Sequence, residues 1–241
     1  MKIEPERIRR LHYGYIVSPE GSPDAGQPIP VCGYLIEHPK ARILFDTGIS
    51  PFDDETRARY SPRVTPVEEV LAGIGLALED IDLIANCHLH ADHAGGNSKF
   101  PKVPVYVQAA ELLIARTTEH TYPEYTFDFP EVALQVIRGE EEMVPGVRII
   151  PTPGHTPGHQ ALVVDTKAGR VLLAGQAFNS ASEFSFAAFS HRLDAAGLDQ
   201  IGTFPPWMAR VAELQPQRGY FAHDLLTYEP DTADLGHPRR Q

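Results

Sequence analysis

Short apolar runs, each closed by Gly, Pro or a polar cluster, set the hydropathy pattern of this chain. Residues 31–38 and 42–46 are two such runs, rich in β-branched side chains and separated by Pro39-Lys40-Ala41, which predicts an antiparallel hairpin. Residues 160–166 and 170–174 repeat that arrangement, and residues 81–86, 103–108, 147–152 and 219–222 predict further strands. Helical spacing takes over in residues 66–74, opened by Pro66 and closed by Gly75, in residues 109–116, and in residues 205–214, which hold the only tryptophan, Trp207. Strand-rich halves with helices between them predict two packed sheets with helices outside. The run Arg42-Ile43-Leu44-Phe45-Asp46 is mirrored by Arg170-Val171-Leu172-Leu173-Ala174-Gly175-Gln176, a hint of internal duplication.

Residues 117–130 break the pattern. This polar and aromatic stretch carries His120, Tyr122, Tyr125, Phe127 and Phe129 without clean periodicity. It reads either as a cover over a site or as a surface excursion with its aromatics tucked inward. The polar tail, residues 230–241, is expected to fray.

Bulk properties narrow the function classes. With 241 residues the chain is expected to form one domain over residues 1–241, large enough for a substantial core. A formal net charge of −11 argues against nucleic acid and anionic membrane surfaces as partners and says little else. Two cysteines, Cys32 and Cys87, form neither a C-x-x-C pair nor a disulfide framework. There is no apolar run of membrane-spanning length, and residues 1–7 lack the apolar centre of a signal peptide, so a cytoplasmic location is expected.

The chemistry concentrates in Cys87-His88-Leu89-His90-Ala91-Asp92-His93-Ala94-Gly95-Gly96, directly after the predicted strand 81–86. Imidazoles are the commonest metal ligands and carboxylates their natural companions. His88, His90, Asp92 and His93 are too many for one tetrahedral ion that keeps a water, so the spacing predicts two adjacent ion positions, or one ion with a supporting carboxylate. His155 and His223 also stand at predicted strand ends.

At this point the chain closely resembles the metallo-β-lactamase superfamily. Its H-x-H-x-D-H signature is present as His88-Leu89-His90-Ala91-Asp92-His93. Phe45-Asp46-Thr47-Gly48, Thr152-Pro153-Gly154-His155-Thr156-Pro157-Gly158-His159 and Phe221-Ala222-His223-Asp224 look like its supporting motifs, in the expected order. The opening Ile29-Pro30-Val31 to Gly48, the C-x-H-x-D-H-x-G-G context and the F-x-H-D ending are most similar to the N-acyl homoserine lactonase-like branch. The resemblance implies an α/β (α+β) fold of the αββα kind, a four-layer sandwich of two mixed β-sheets flanked by helices. It implies that His88, His90 and His155 hold one divalent ion and Asp92, His93 and His223 a second. Asp46 would orient a ligand imidazole, and His159 would brace the third-ligand loop. Zinc is the expected metal, with manganese, iron and cobalt also compatible with these ligand types. Relatives of this kind are often dimers, so a homo-dimer, or a place in a hetero-oligomer, is expected.

Two positions depart from the family pattern. Gln176 stands where dinuclear members place a bridging aspartate, so the amide can offer one neutral carbonyl oxygen in place of a charge. Asn179 stands where lactonase-like members carry a tyrosine that polarises the substrate carbonyl. The expected reaction is attack of a metal-bound hydroxide on a small lactone or ester, with Asp92 shuttling the proton to the leaving group and Asn179 assisting. One alternative is an activated aryl ester or ether, in line with Phe178, Phe184, Phe186 and Phe189, which read equally well as core. The other is a non-catalytic, accessory subunit beside an active partner.

Overall fold

The protein is described here from a computed structural model covering residues 1–22, 24–50, 54–118, 122–199 and 201–230. One sheet is built from β1 (Ile8–Val17), β2 (Pro28–His38), β3 (Ala41–Phe45), β4 (Arg63–Val64), β5 (Leu83–Ala85), β6 (Pro104–Gln108) and β7 (Ala133–Ile137). Its spatial order is β4-β1-β2-β3-β5-β6-β7. The second sheet contains β8 (Glu141–Val144), β9 (Val147–Pro151), β10 (Gln160–Thr166), β11 (Gly169–Leu173) and β12 (Arg218–Tyr220), in the order β12-β11-β10-β9-β8. Both are mixed: β2 and β3 are antiparallel while β3, β5, β6 and β7 run parallel, and β10 and β11 are antiparallel while β11 and β12 run parallel. The helices are α1 (Asp54–Tyr60), α2 (Val67–Ala72), α3 (Ala109–Thr117), α4 (Ala181–Ala195) and α5 (Met208–Leu214).

Strand alternation explains the layering. Tyr34, Ile36, Ile43 and Phe45 point between the sheets and meet Ile149, Leu162, Val164, Val171 and Leu173. The intervening Leu35 and Leu44 point to the opposite face and pack with Val67 and Leu71 of α2. On the far side of the second sheet, Ile150, Val163 and Leu172 pack against Phe184 and Ala187 of α4 and Met208 and Val211 of α5. Because helices cover the outer faces, these central strands are buried on both sides and read as continuous apolar runs. The result is the αββα sandwich. The hinted duplication has a counterpart in it: each sheet holds a hairpin (β2–β3, β10–β11) whose second strand takes a parallel partner (β5, β12).

Several elements escape the hydropathy pattern. In β1 the register shifts between His12 and Gly14, so Leu11 and Tyr13 are buried on one parity and Ile16 on the other, which erases the period-two signal. Gly14 is required there: its φ is +116° and a Cβ would lie 1.8 Å from the Arg63 carbonyl oxygen. Helix α4 hides because its buried face is Ala181, Phe184, Ala187, Ser190 and Leu193, mostly small residues. The predicted helix at 205–214 begins only at Met208, since Pro205 and Pro206 keep the preceding backbone out of helical conformation. Within 117–130, Tyr122, Phe127 and Phe129 are buried, which is the tucked-inward arrangement; His120 lies outside the described residues, as do residues 231–241 of the tail.

Candidate metal centre

Strands β3, β5, β9, β11 and β12 end at a common edge, and the loop after each delivers part of the site. Asp46 follows β3 with a left-handed backbone, φ 66°, and its carbonyl oxygen accepts the buried Tyr13 hydroxyl at 3.1 Å. Its side chain has two partners: Oδ1 accepts the Cys87 N–H at 2.7 Å and Oδ2 lies 3.0 Å from His93 Nδ1. An acceptor on Nδ1 fixes the ring and turns Nε2 toward the cluster. Behind it, Thr47 Oγ1 donates to Asn97 Oδ1 at 2.9 Å, and Asn97 Nδ2 donates to Asn86 Oδ1 at 2.9 Å and to the Thr126 carbonyl at 2.7 Å. This fully buried network ties the ends of β3 and β5 to the segment that carries Phe127. Sequence reasoning did not single out Asn97, since a lone amide carries no spacing signal.

The loop after β5 places His88, His90, Asp92 and His93 in two groups. In the first, nitrogens of His88, His90 and His155 lie within 4.8 Å of one another; in the second, ligand atoms of Asp92, His93 and His223 do the same. His90 Nδ1 and His155 Nε2 are 3.3 Å apart, and His93 Nε2 and His223 Nε2 are 3.2 Å apart. Asp92 Oδ2 is 3.5 Å from both His93 Nε2 and His223 Nε2. His223 is fixed from behind by the Pro30 carbonyl, 2.9 Å from its Nδ1. The Cys87 sulfur sits 3.1 Å from His88 Nδ1 and 3.3 Å from His93 Nδ1.

This arrangement fits a divalent ion. His88 Nε2 is buried and has no hydrogen-bond partner, an uncompensated cost unless an electrophile takes its lone pair. Burial, then the neighbouring imidazoles, push His88 well below the ordinary histidine range. Burial likewise lowers His90 to about 4 against the pull of Asp92. Partial burial and the nearby His90 and His93 lower His155 to about 4, although its other side faces solvent. These three rings are therefore neutral and ready to donate at neutral pH. His93 differs: burial opposes its charge, but Asp92 and Asp46 prevail and raise it to about 9. Burial disfavours the charged form of Asp92, yet His93, His223 and His90 hold its carboxyl below the usual range.

His159 is committed elsewhere. Its Nε2 accepts the Gln176 N–H at 3.1 Å, which requires the proton on Nδ1, 2.8 Å from Thr152 Oγ1. It thus links the loop after β9 to the loop after β11. Gln176 Oε1 faces the cluster, 3.1 Å from His93 Nε2, while its Nε2 donates to Asn179 Oδ1 at 3.3 Å. Asn179 is exposed at the rim, and its N–H is held by Glu183 Oε2 at 3.1 Å. The four phenylalanines do not form one wall: Phe184 is core, Phe178 packs edge-on between Phe184 and Trp207, Phe186 is half exposed and Phe189 is partly buried. Trp207 Nε1 donates to the Pro153 carbonyl at 3.0 Å and so pins the loop that carries His155. Neither that contact nor the buried Glu111 was read from the sequence, because each is one residue in a segment whose pattern speaks only of packing.

Residues 28–220 match the metallo-beta-lactamase superfamily. The chain belongs to that superfamily. As a member it is a hydrolase, and its homologues use divalent metals. It is 36% identical over 214 residues, 82% of each chain, to an N-acyl homoserine lactonase of Bacillus sp, and 35% identical over the same span to one of Bacillus cereus. A solved N-acyl homoserine lactone hydrolase with the product N-hexanoyl-L-homoserine at its catalytic metal centre superposes with a TM-score of 0.70 at 27% identity, covering 93% of this chain and 95% of the other. An AiiA variant of B. thuringiensis with N-decanoyl-L-homoserine at its active site gives 0.71 at 26% identity, over the same shares of the two chains. This superfamily member is lactonase-like, and the comparisons favour neither the aryl ester or ether alternative nor the accessory subunit. Among its described residues no helix is long and apolar enough to cross a membrane.

Proposed function

We propose that this chain opens a small, uncharged lactone or ester, with an N-acyl homoserine lactone as the first substrate to test. The observation that carries the reading is the pair of three-residue sets, His88/His90/His155 and Asp92/His93/His223, gathered at one sheet edge in a chain related to homoserine lactonases. Each set would hold one divalent ion, zinc first, with manganese, iron or cobalt as substitutes. A bound ion supplies Lewis acidity and lowers the pKa of a water molecule for attack on the ester carbon.

The chain's own residues do the rest. Asp92, kept ionised by the imidazoles around it, is the group able to carry a proton to the departing alkoxide oxygen. Asp46 and His159 hold His93 and Gln176 in place. Asn179 stands at the rim, where an amide N–H can donate to the substrate carbonyl. Gln176 presents its oxygen to the cluster without a charge, so the Asp92/His93/His223 set lacks one negative charge for a second cation beside the first. The first set, which needs no anion, is the stronger of the two.

Turnover of an N-acyl homoserine lactone, set beside a nitrophenyl ester, tests the reading. Lactone opening at the higher kcat/KM supports it. Turnover confined to the nitrophenyl compound contradicts it and returns the aryl alternative.

A further inference from the structure

The first ligand set is drawn from two separate loops. His88 and His90 come from the loop after β5, and His155 from the loop after β9. His90 Nδ1 and His155 Nε2 lie 3.3 Å apart, so both rings can face one ion only if the two loops are held in register. Glu111, in the first turn of α3, lies between them and is fully buried. Its Oε1 accepts the N–H of Leu89, the residue between His88 and His90, at 2.9 Å. Its Oε2 accepts the hydroxyl of Thr156, the residue after His155, at 2.5 Å. The Gly158 N–H and the Tyr122 hydroxyl complete its partners, and the Tyr122 ring lies 4.8 Å from that of His90. Gly158 is needed for this approach, since a Cβ there would lie 2.1 Å from the Glu111 nitrogen.

We infer that Glu111 is a positioning residue for the first ion set: its buried carboxylate clamps the His88–His90 loop to the His155 loop, one oxygen to each. The inference rests on the metal-site reading above. A buried carboxylate is costly to keep unless donors satisfy it, and an apolar side chain here would leave those donors unpaired. What the carboxylate provides is four donors satisfied at one point, all from segments that flank the first set. His93 and His223 of the second set have supports of their own, Asp46 and the Pro30 carbonyl. The role of Glu111 is therefore tested on the first set alone.

The test titrates Co2+ into His223→Ala protein, which leaves the first set intact, with and without Glu111→Gln. The glutamine keeps the shape but has one acceptor oxygen and turns an NH2 toward one of the donors the carboxylate now accepts. Co2+ affinity falling about 10- to 100-fold, with a changed visible spectrum, is expected. The metal-free melting midpoint is read alongside, since a purely structural role would lower it and leave affinity and spectrum unmoved; that pattern overturns the inference. Thr156→Val serves if Glu111→Gln does not fold: it removes one donor, and a smaller loss of Co2+ affinity is expected, while unchanged affinity overturns the proposal. Failure of the His223→Ala protein itself to bind Co2+ overturns the metal-site reading and this inference with it.

Discussion

Asp46 and His93 form a buried pair, with Oδ2 3.0 Å from Nδ1, and the second oxygen of the same carboxylate takes the Cys87 N–H at 2.7 Å. One side chain thus orients a candidate ligand and ties down the start of the loop that delivers the others. Asp46→Asn keeps the volume but leaves a single acceptor for two donors. The Asp92/His93/His223 set is expected to lose about 10- to 100-fold in metal affinity, and the fold about 1–3 kcal/mol for the group left unpaired. Chelator competition and urea unfolding read the two effects separately. Unchanged affinity would show that His93 needs no orienting partner.

Gln176 faces His93 with an uncharged oxygen. The purified chain is expected to hold about one tightly bound divalent ion, and Gln176→Asp about two, because the added carboxylate offsets repulsion between neighbouring cations. Elemental analysis decides it. Two tightly bound ions in the unaltered chain would mean that the amide bridges adequately.

The two sets also differ in the protons they hold. His90 and His155 stand at about 4, so the first set is deprotonated at pH 7, whereas His93 stands at about 9. The folded value of His93 is raised above the ordinary 6.5. Its pairing therefore stabilises the metal-free fold fully below about pH 6.5 and ceases to as pH rises through about 9. An ion entering the second set must displace that proton. About one proton is expected to leave when the second set fills at pH 7, and progressively less as pH passes 9. Calorimetry in two buffers of different ionisation enthalpy counts it, and no release at pH 7 would contradict the pairing.

Phe184 joins α4 to the outer face of the second sheet, with its ring 5.5 Å from that of Phe221 and 4.7 Å from that of Tyr228. Phe184→Ala is expected to cost about 3–5 kcal/mol, the usual penalty for truncating a buried ring. Urea unfolding measures it; a loss under about 1 kcal/mol would place Phe184 outside the packed core, on the pattern of scattered surface substitutions.

What the sequence disclosed follows from what is local. The central strands announce themselves because they are buried on both faces, and the ligand-bearing loops because their polar residues interrupt those runs in known motifs. Helix α4 starts at Ser180, whose hydroxyl accepts the Glu183 N–H at 3.1 Å, but its small-residue buried face kept the helix out of the hydropathy pattern. Strand β1 was hidden by its bulge at Gly14. Glu111 and Asn97 were out of reach for a different reason: their partners lie 22 and 45 positions away for Glu111, and 50 positions away for Asn97 with Thr47, contacts that exist only once the sheets pack.

If divalent ions held by the two sets drive lactone hydrolysis by this chain, removing them must abolish it. The most direct measurement is ring opening of an N-acyl homoserine lactone by protein stripped with a chelator, then reloaded with zinc, alongside His88→Ala. Activity is expected to be lost on stripping, restored by zinc, and absent in His88→Ala whatever metal is added. Full activity in the stripped protein, or in a His88→Ala protein that retains its metal, would contradict that expectation.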